Sequence, residues 1–273
     1  MPMILEPSAD QIKQYRECGF VRIPGFLTQG ELEEWRQTTE AAIRDRMGRG
    51  SKQHTNQAGD NAADDFYANV FLQALRLADT HEGMRKLIYD IRIGKFAAGL
   101  AGIDGIRVWH DQALFKQPYG NPTAWHLDNP YWSFSSRDAI SIWIALDDST
   151  LENGCLWFVP TSHKTARFDN SGIGQNMADL FKIYPEWKKI APVPVPAKAG
   201  DALFHNGLTA HAAGANMTNG SRRAMTCAFM PDGATFNGTR NIMPEELVKK
   251  LKIGDVIDDE KQTPLIWKKG MAG

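Results

Sequence analysis

The sequence predicts a mainly β fold, a sandwich or jelly roll with helices packed on one side, entered through an N-terminal helical region. Two observations carry this expectation. Residues 1–100 hold helix signals almost throughout, whereas from about residue 105 the chain breaks into short runs rich in β-branched and aromatic residues, separated by turn residues. Many short strands after a helical stretch are the pattern of a layered β fold with helical cover. A third observation sets the scale: 273 residues, 42% hydrophobic and 23% charged, suffice for one large core or two small ones.

Asp10 to Gly19 reads as a short helix closed by a glycine, the residue that best tolerates the left-handed backbone of a C-terminal cap. Phe20-Val21-Arg22-Ile23-Pro24 reads as a short strand. Thr28-Gln29-Gly30-Glu31 has the spacing of a capping box, and the helix it opens carries Leu32, Trp35, Ala42 and Ile43 near helical spacing. Gly48 to Asp64 is polar and glycine-containing, a mobile loop that is either functional or a surface excursion. Ala68 to Leu77 and Glu82 to Ile91 give further helix signals. The expected strands are Ile106 to Phe115, Ala139 to Leu146, Gly154 to Val159, Ala202 to His205 and Arg223 to Met230. Phe168 to Trp187, with Gly172, Gly174, Met177 and Tyr184, reads as either a lid or a packed excursion. Lys249, Lys250, Lys252, Lys268 and Lys269 form a solvated basic surface. There is no internal repeat.

Composition excludes several classes. Lys+Arg is 31 and Asp+Glu 32, a net charge of −1, so nothing favours nucleic acid or an anionic membrane. Cys18, Cys155 and Cys227 have neither zinc nor disulfide spacing, which suits a reducing cytoplasm. Met1 to Asp10 lacks the basic-then-apolar pattern of a signal peptide, and no run approaches the roughly 18 apolar residues of a membrane span. There is no G-x-S-x-G, and Cys155 and Cys227 lie in apolar runs where a thiol is inert, which argues against a hydrolase.

Candidate chemistry concentrates in His126, Asp128 and His211. His126-Leu127-Asp128 puts an imidazole and a carboxylate at i and i+2, the same face of a strand. A second imidazole from a distant strand would complete a 2-His-1-carboxylate set, which binds Fe(II) and leaves positions open. His205 and His211 are both available for that role. Arg222 and Arg223 follow; strand alternation lets only one of them enter the interior. A guanidinium there would hold the carboxylate of an organic cosubstrate in a planar fork. His54, His81, His110 and His163 have no partner motif and are read as surface or core residues.

Five stretches carry a resemblance. They are Trp125-His126-Leu127-Asp128-Asn129, Trp143-Ile144-Ala145-Leu146-Asp147-Asp148, Glu152-Asn153-Gly154-Cys155-Leu156, Pro160-Thr161-Ser162-His163 and the block from Gly200-Asp201 to Arg222. In order and spacing they resemble the phytanoyl-CoA dioxygenase family of Fe(II)/2-oxoglutarate-dependent oxygenases, over roughly residues 10–235. The resemblance implies a double-stranded β-helix, a cupin-like jelly roll, in a single domain over residues 1–273. Helical support would cover about 1–104, the jelly-roll core about 105–235 and a C-terminal extension 236–273.

The same resemblance implies the site. His126, Asp128 and His211 match the family's iron ligands, because the family separates its third ligand from its cosubstrate arginine by the distance between His211 and Arg222. Arg222 matches the residue that binds the distal carboxylate of 2-oxoglutarate. Trp143 stands beside that cosubstrate, and Gln112 and Lys116 share a strand running past its pocket. Asn129, Tyr131, Trp132 and Phe134 follow the first two ligands and are expected to rim the pocket as a wall for an apolar or ring-bearing substrate; simple packing under a loop is the other reading of Trp132 and Phe134. The implied activity uses Fe(II), 2-oxoglutarate and O2 to hydroxylate an unactivated C–H bond of a small-molecule substrate, releasing succinate and CO2. Asp128 separates this chain from related halogenases, which have a small residue there. Desaturation, ring closure or epimerisation at the same centre, and a non-catalytic metal-binding relative, are the alternatives. No basic cluster calls for a CoA thioester, and no protein partner is evident.

Overall fold

The computed structural model describes residues 6–48 and 69–271. The polar loop expected over Gly48 to Asp64 lies outside the described residues beyond its first position. Helix α1 (Ala9–Cys18) opens at Ser8, whose hydroxyl accepts the Gln11 N–H while the Gln11 side chain accepts the Ser8 N–H, and it closes at Gly19 with φ 88°. A Cβ on Gly19 would lie 2.4 Å from Thr209 Oγ1 and 2.5 Å from His163 Nδ1, so both the backbone angle and the space require glycine. The Gly19 carbonyl accepts from Thr209 Oγ1 and from the Asn206 N–H, both at 2.8 Å. The end of α1 is thereby tied to the loop between His205 and His211.

Strand β1 (Phe20–Ile23) leads to α2 (Gln29–Gly48), where the expected capping box forms: Glu31 accepts the Thr28 N–H at 2.9 Å and Thr28 Oγ1 accepts the Glu31 N–H at 3.2 Å. Two more helices, α3 (Glu82–Ile88) and α4 (Ile91–Ala101), are separated by Asp90, which caps the second. The helix expected over Ala68 to Leu77 is absent from its described part. Leu72–Leu75 is strand β2, paired with the segment Gln112 to Phe115. A free sheet edge outcompeted local helix propensity there, as tertiary context commonly does.

Two antiparallel sheets form the body. The larger runs β1, β8 (Ala202–Asn206), β5 (Ile140–Ala145), β10 (Arg222–Pro231), β3 (Gly105–Lys116), with β2 and β11 (Leu265–Lys268) sharing the far edge of β3. The smaller runs β4 (Thr123–His126), β9 (His211–Ala213), β6 (Leu156–Phe158), β7 (Val193–Val195). The large sheet therefore takes strands from the N-terminal stretch, the middle and the C-terminal stretch. Strands β7 and β11 were not expected, and β4 and β9 only as the strands taken to carry His126 and His211; three or four residues are too few to show a period of two.

Alternation along β5 and β10 sorts the side chains. Ile142, Ile144, Met225 and Cys227 face outward under the helices, packing with residues such as Trp35 and Phe96. Trp143, Ala145 and Ala224 face inward against Leu156, Phe158 and Ala213 of the small sheet. The architecture is a jelly roll with helices on the outer face of its large sheet. Of the segment Phe168 to Trp187, one half is packed: Leu180, Tyr184 and Trp187 are buried with Leu127 and Val159, and the Tyr184 and Trp187 rings stack at 3.8 Å. Near its start, Gly172 and Ile173 line the interior cavity instead. The C-terminal stretch closes one end, with Phe236, Met243 and Ile257 packed on Trp109, Trp132 and Phe134. Among the described residues no helix is long and apolar enough to cross a membrane.

Candidate metal centre and cosubstrate pocket

His126 is the last residue of β4 and pairs with His211, the first of β9, so the two imidazoles stand side by side with ring centroids 4.1 Å apart. Asp128 is not on a strand. It has φ −80° and ψ −52°, in the turn before the short 3-10 turn Asn129–Tyr131. The i, i+2 reasoning thus gave the right neighbourhood for the wrong reason. The turn is held because the Asp128 and Asn129 N–H groups both donate to the Gly207 carbonyl, at 3.1 and 2.9 Å.

One nitrogen, one oxygen and one nitrogen from His126, Asp128 and His211 lie within 4.8 Å of one another. His126 Nδ1 contacts the Ala124 carbonyl at 2.8 Å and His211 Nδ1 the Thr209 carbonyl at 3.1 Å. These carbonyls assign the proton to each Nδ1 and leave each Nε2 lone pair free, 3.6 and 3.7 Å from Asp128 Oδ1. Burial pushes His126 below the usual imidazole range and, with the His126 ring beside it, holds His211 well below it. Burial would push Asp128 up, but the imidazoles of His211, His205 and His126 hold its carboxyl well below the usual carboxylate range. Two neutral imidazoles and an ionised carboxylate turned toward one point fit a divalent first-row metal such as Fe(II). His205 is close but differently placed: its Nε2 is 3.0 Å from Asp128 Oδ2, which also accepts from Ser141 Oγ at 3.3 Å.

Behind this cluster the alternation argument about the arginines holds geometrically. Arg223 points outward to Asp147 and Glu40. Arg222 is buried, with Cζ 5.2 Å from the centre of the Trp143 ring. Its Nε and Nη1 have no hydrogen-bond partner among the described residues, and burial pushes its pKa down to about 10. Lys116 is fully buried, its ammonium donating to the Asn121 carbonyl at 2.6 Å; burial and then the Arg222 charge push it down to about 7. Leaving a buried cation uncompensated is costly. The orphaned guanidinium nitrogens have the charge and the donor geometry that a carboxylate fits.

A cavity of about 1660 Å³ joins these parts, with Trp143 and Arg222 in its lining together with Ile242 and Gln262 of the C-terminal stretch. Gln112 lines it, accepting a hydrogen bond from Gln73 at 2.6 Å. Lys116 does not line it. Tyr131 and Trp132 form part of the wall, but Asn129 and Phe134 do not. Asn129 is fully buried and braces the turn, donating to the Phe134 carbonyl and accepting the Ser136 N–H; Phe134 packs edge-on against Trp109. His110, expected as an ordinary core or surface residue, faces the cavity with Nδ1 buried and without a partner among the described residues, and burial pushes it down to about 4. The signal was present: His110 shares strand parity with Gln112.

A jelly roll with paired histidines and a carboxylate facing an interior cavity defines the class of non-haem metal oxygenases. Comparisons with known proteins agree. The family model described as phytanoyl-CoA dioxygenase (PhyH) matches residues 15–224. Methylphosphonate hydroxylase from Gimesia maris is 29% identical over 225 residues, spanning 80% of this chain and 79% of that protein. The structure of the non-haem α-ketoglutarate-dependent carbocyclase SnoK from nogalamycin biosynthesis superposes with a TM-score of 0.77 at 29% identity, over 95% of this chain and 96% of that one. The epimerase SnoN, whose complex contains Fe3+, α-ketoglutarate and nogalamycin RO, gives a TM-score of 0.72 at 26% identity, over 94% and 97%.

The chain belongs to the phytanoyl-CoA dioxygenase family. It is a 2-oxoglutarate-dependent dioxygenase, an oxidoreductase that works with iron and O2.

Proposed function

We propose that His126, Asp128 and His211 hold the iron, that Arg222 binds the distal carboxylate of 2-oxoglutarate, and that the enzyme hydroxylates a small, CoA-free substrate in the cytoplasm without a nucleic-acid, membrane or protein partner. The observation that carries the reading is the convergence of the three ligand atoms beside a buried guanidinium with two orphaned nitrogens. Iron, 2-oxoglutarate and O2 together supply the oxidising power that breaks an unactivated C–H bond, with succinate and CO2 as coproducts. The chain supplies position. Arg222 offers a planar fork that fixes orientation as well as charge. Trp143 packs against that guanidinium and covers one side of the pocket. Gln112, Tyr131, Trp132 and His110 shape the substrate end, with the neutral His110 ring offering a hydrogen-bonding nitrogen to an uncharged polar group.

The CoA-free reading rests on the charges of the cavity wall, where Arg85, Arg240 and Lys250 are interleaved with Glu245, Glu246 and Asp259. A polyphosphorylated carrier would call for an excess of cations. The test is succinate release with a substrate panel of acyl-CoA thioesters, free fatty acids and oxygenated ring compounds, followed by product mass. Succinate with CoA-free compounds and a product heavier by one oxygen atom is expected. Turnover confined to thioesters would overturn the substrate reading, and loss of two hydrogens or an unchanged mass would replace hydroxylation by desaturation, ring closure or epimerisation.

A further inference from the structure

His205 touches the candidate centre but is not part of the proposed ligand set. It is 4% exposed, on β8 of the large sheet, whereas His126 and His211 belong to strands of the small sheet. Its Nε2 is 3.0 Å from Asp128 Oδ2, and Ser141 Oγ, on the neighbouring strand and directly paired with it, donates to the same oxygen at 3.3 Å. The other oxygen, Oδ1, is the one 3.6 and 3.7 Å from the free nitrogens of His126 and His211. His205 Nδ1 is buried and has no partner, so the ring has one polar engagement among the described residues, the contact with Asp128. Two neighbouring rings pack against it, Phe158 at 5.6 Å and His211 at 4.5 Å between centroids.

We propose that His205, assisted by Ser141, is a positioning residue that pins Oδ2 of Asp128 and so presents Oδ1 alone to the metal. The inference rests on the proposed ligand set. Asp128 needs such a brace because it stands in a turn beyond the end of β4, where no strand pairing fixes its side chain. His126 and His211 have their non-ligating nitrogens pinned by the Ala124 and Thr209 carbonyls. With His205 on Oδ2, all three groups are braced through the atom facing away from the metal. A free carboxylate would swing or bind through both oxygens, occupying a position that cosubstrate or O2 requires.

The test is anaerobic titration of the full chain with Fe(II), and with Co(II) as a spectroscopic probe, for wild type, His205→Leu, His205→Gln and Ser141→Ala, with a thermal melt of each metal-free protein. Glutamine keeps a donor near the position of Nε2; leucine keeps only bulk. The expected results are a roughly 10- to 100-fold loss of metal affinity and an altered Co(II) ligand-field spectrum in His205→Leu, substantial rescue in His205→Gln, and a smaller loss in Ser141→Ala. His205→Leu binding metal like wild type would overturn the proposal. So would equal, complete loss in both His205 variants, which would make His205 itself a ligand. If His205→Leu fails to fold, His205→Gln combined with Ser141→Ala decides: unchanged affinity and spectrum refute the brace. Wild type that binds no metal would refute the ligand set, a separate outcome.

Discussion

Arg222 and Lys116 show how a single buried charge can announce a ligand. Both are cations inside the jelly roll, and no carboxylate pairs with either among the described hydrogen bonds and ion pairs. Replacing Arg222 by methionine removes the desolvated charge at similar volume. The metal-free protein is expected to gain roughly 1–4 kcal/mol, read by urea denaturation, while 2-oxoglutarate affinity falls about 10- to 100-fold. A destabilised Arg222→Met apo-protein would mean the guanidinium is already compensated. Lys116 gives a pH signature. Its folded pKa of about 7 lies below the ordinary 10.5, so between those values the unfolded chain holds a proton that the folded chain lacks. Apo stability should rise as pH increases from about 7 toward 10, with the full penalty present below that window. The Lys116 contribution should disappear in Lys116→Met, leaving a less positive slope than in wild type; equal slopes in both proteins would refute the assignment. Of these residues the sequence located Arg222 well, because alternation and spacing agree. It misjudged Lys116, whose side chain bends to the Asn121 carbonyl rather than the cavity, and Asn129, whose amide is consumed by its own turn. Side-chain direction within a turn is not written in residue type.

At the scale of elements, the site depends on two short pieces that pattern reading could not see. β4 and β9 are four and three residues long, yet their pairing sets His126 against His211. Strands β3, β5 and β10 were legible because they are long, β-rich runs buried along most of their length and bounded by turn residues. β2 was read as a helix because its strand character comes from the edge of β3 and not from its own residues. The turn into β6 makes a sharper prediction. Gly154 has φ 90°, and a Cβ there would lie 2.5 Å from the Gly214 carbonyl oxygen and 2.7 Å from Lys116 Cδ. Gly154→Ala should cost more than about 1 kcal/mol, since strain and backbone collision act together. It should also weaken 2-oxoglutarate binding by displacing Lys116 near Arg222. A melting temperature and cosubstrate affinity like wild type would contradict this account of the turn.

For the molecule as a whole, helices cover the outer face of the large sheet, the two sheets enclose the cavity, and the C-terminal stretch contributes to its wall. That last role was not legible: Lys249, Lys250, Lys252, Lys268 and Lys269 are exposed as read, but nothing in their pattern showed that β11 joins the large sheet or that Gln262 reaches the cavity. The fold class and the convergence of His126, Asp128 and His211 were legible because they rest on repeated patterns and fixed spacings; the cavity wall was not, because it is assembled from distant loops. Since metal and cosubstrate fill a polar interior that is otherwise uncompensated, their joint binding should stabilise the whole domain. At about 100 times the dissociation constant the gain is about 2.7 kcal/mol, a rise of roughly 5–10 °C in Tm. Neither ligand alone should give the full shift.

The most direct measurement is an anaerobic titration of the full chain with Fe(II) and 2-oxoglutarate, following the visible metal-to-cosubstrate charge-transfer band in wild type, His211→Ala and Arg222→Ala. The account predicts a band in wild type, none in His211→Ala, and in Arg222→Ala a band that needs far more 2-oxoglutarate to form. A folded wild-type protein without the band, or an Arg222→Ala titration that overlays wild type, would contradict it.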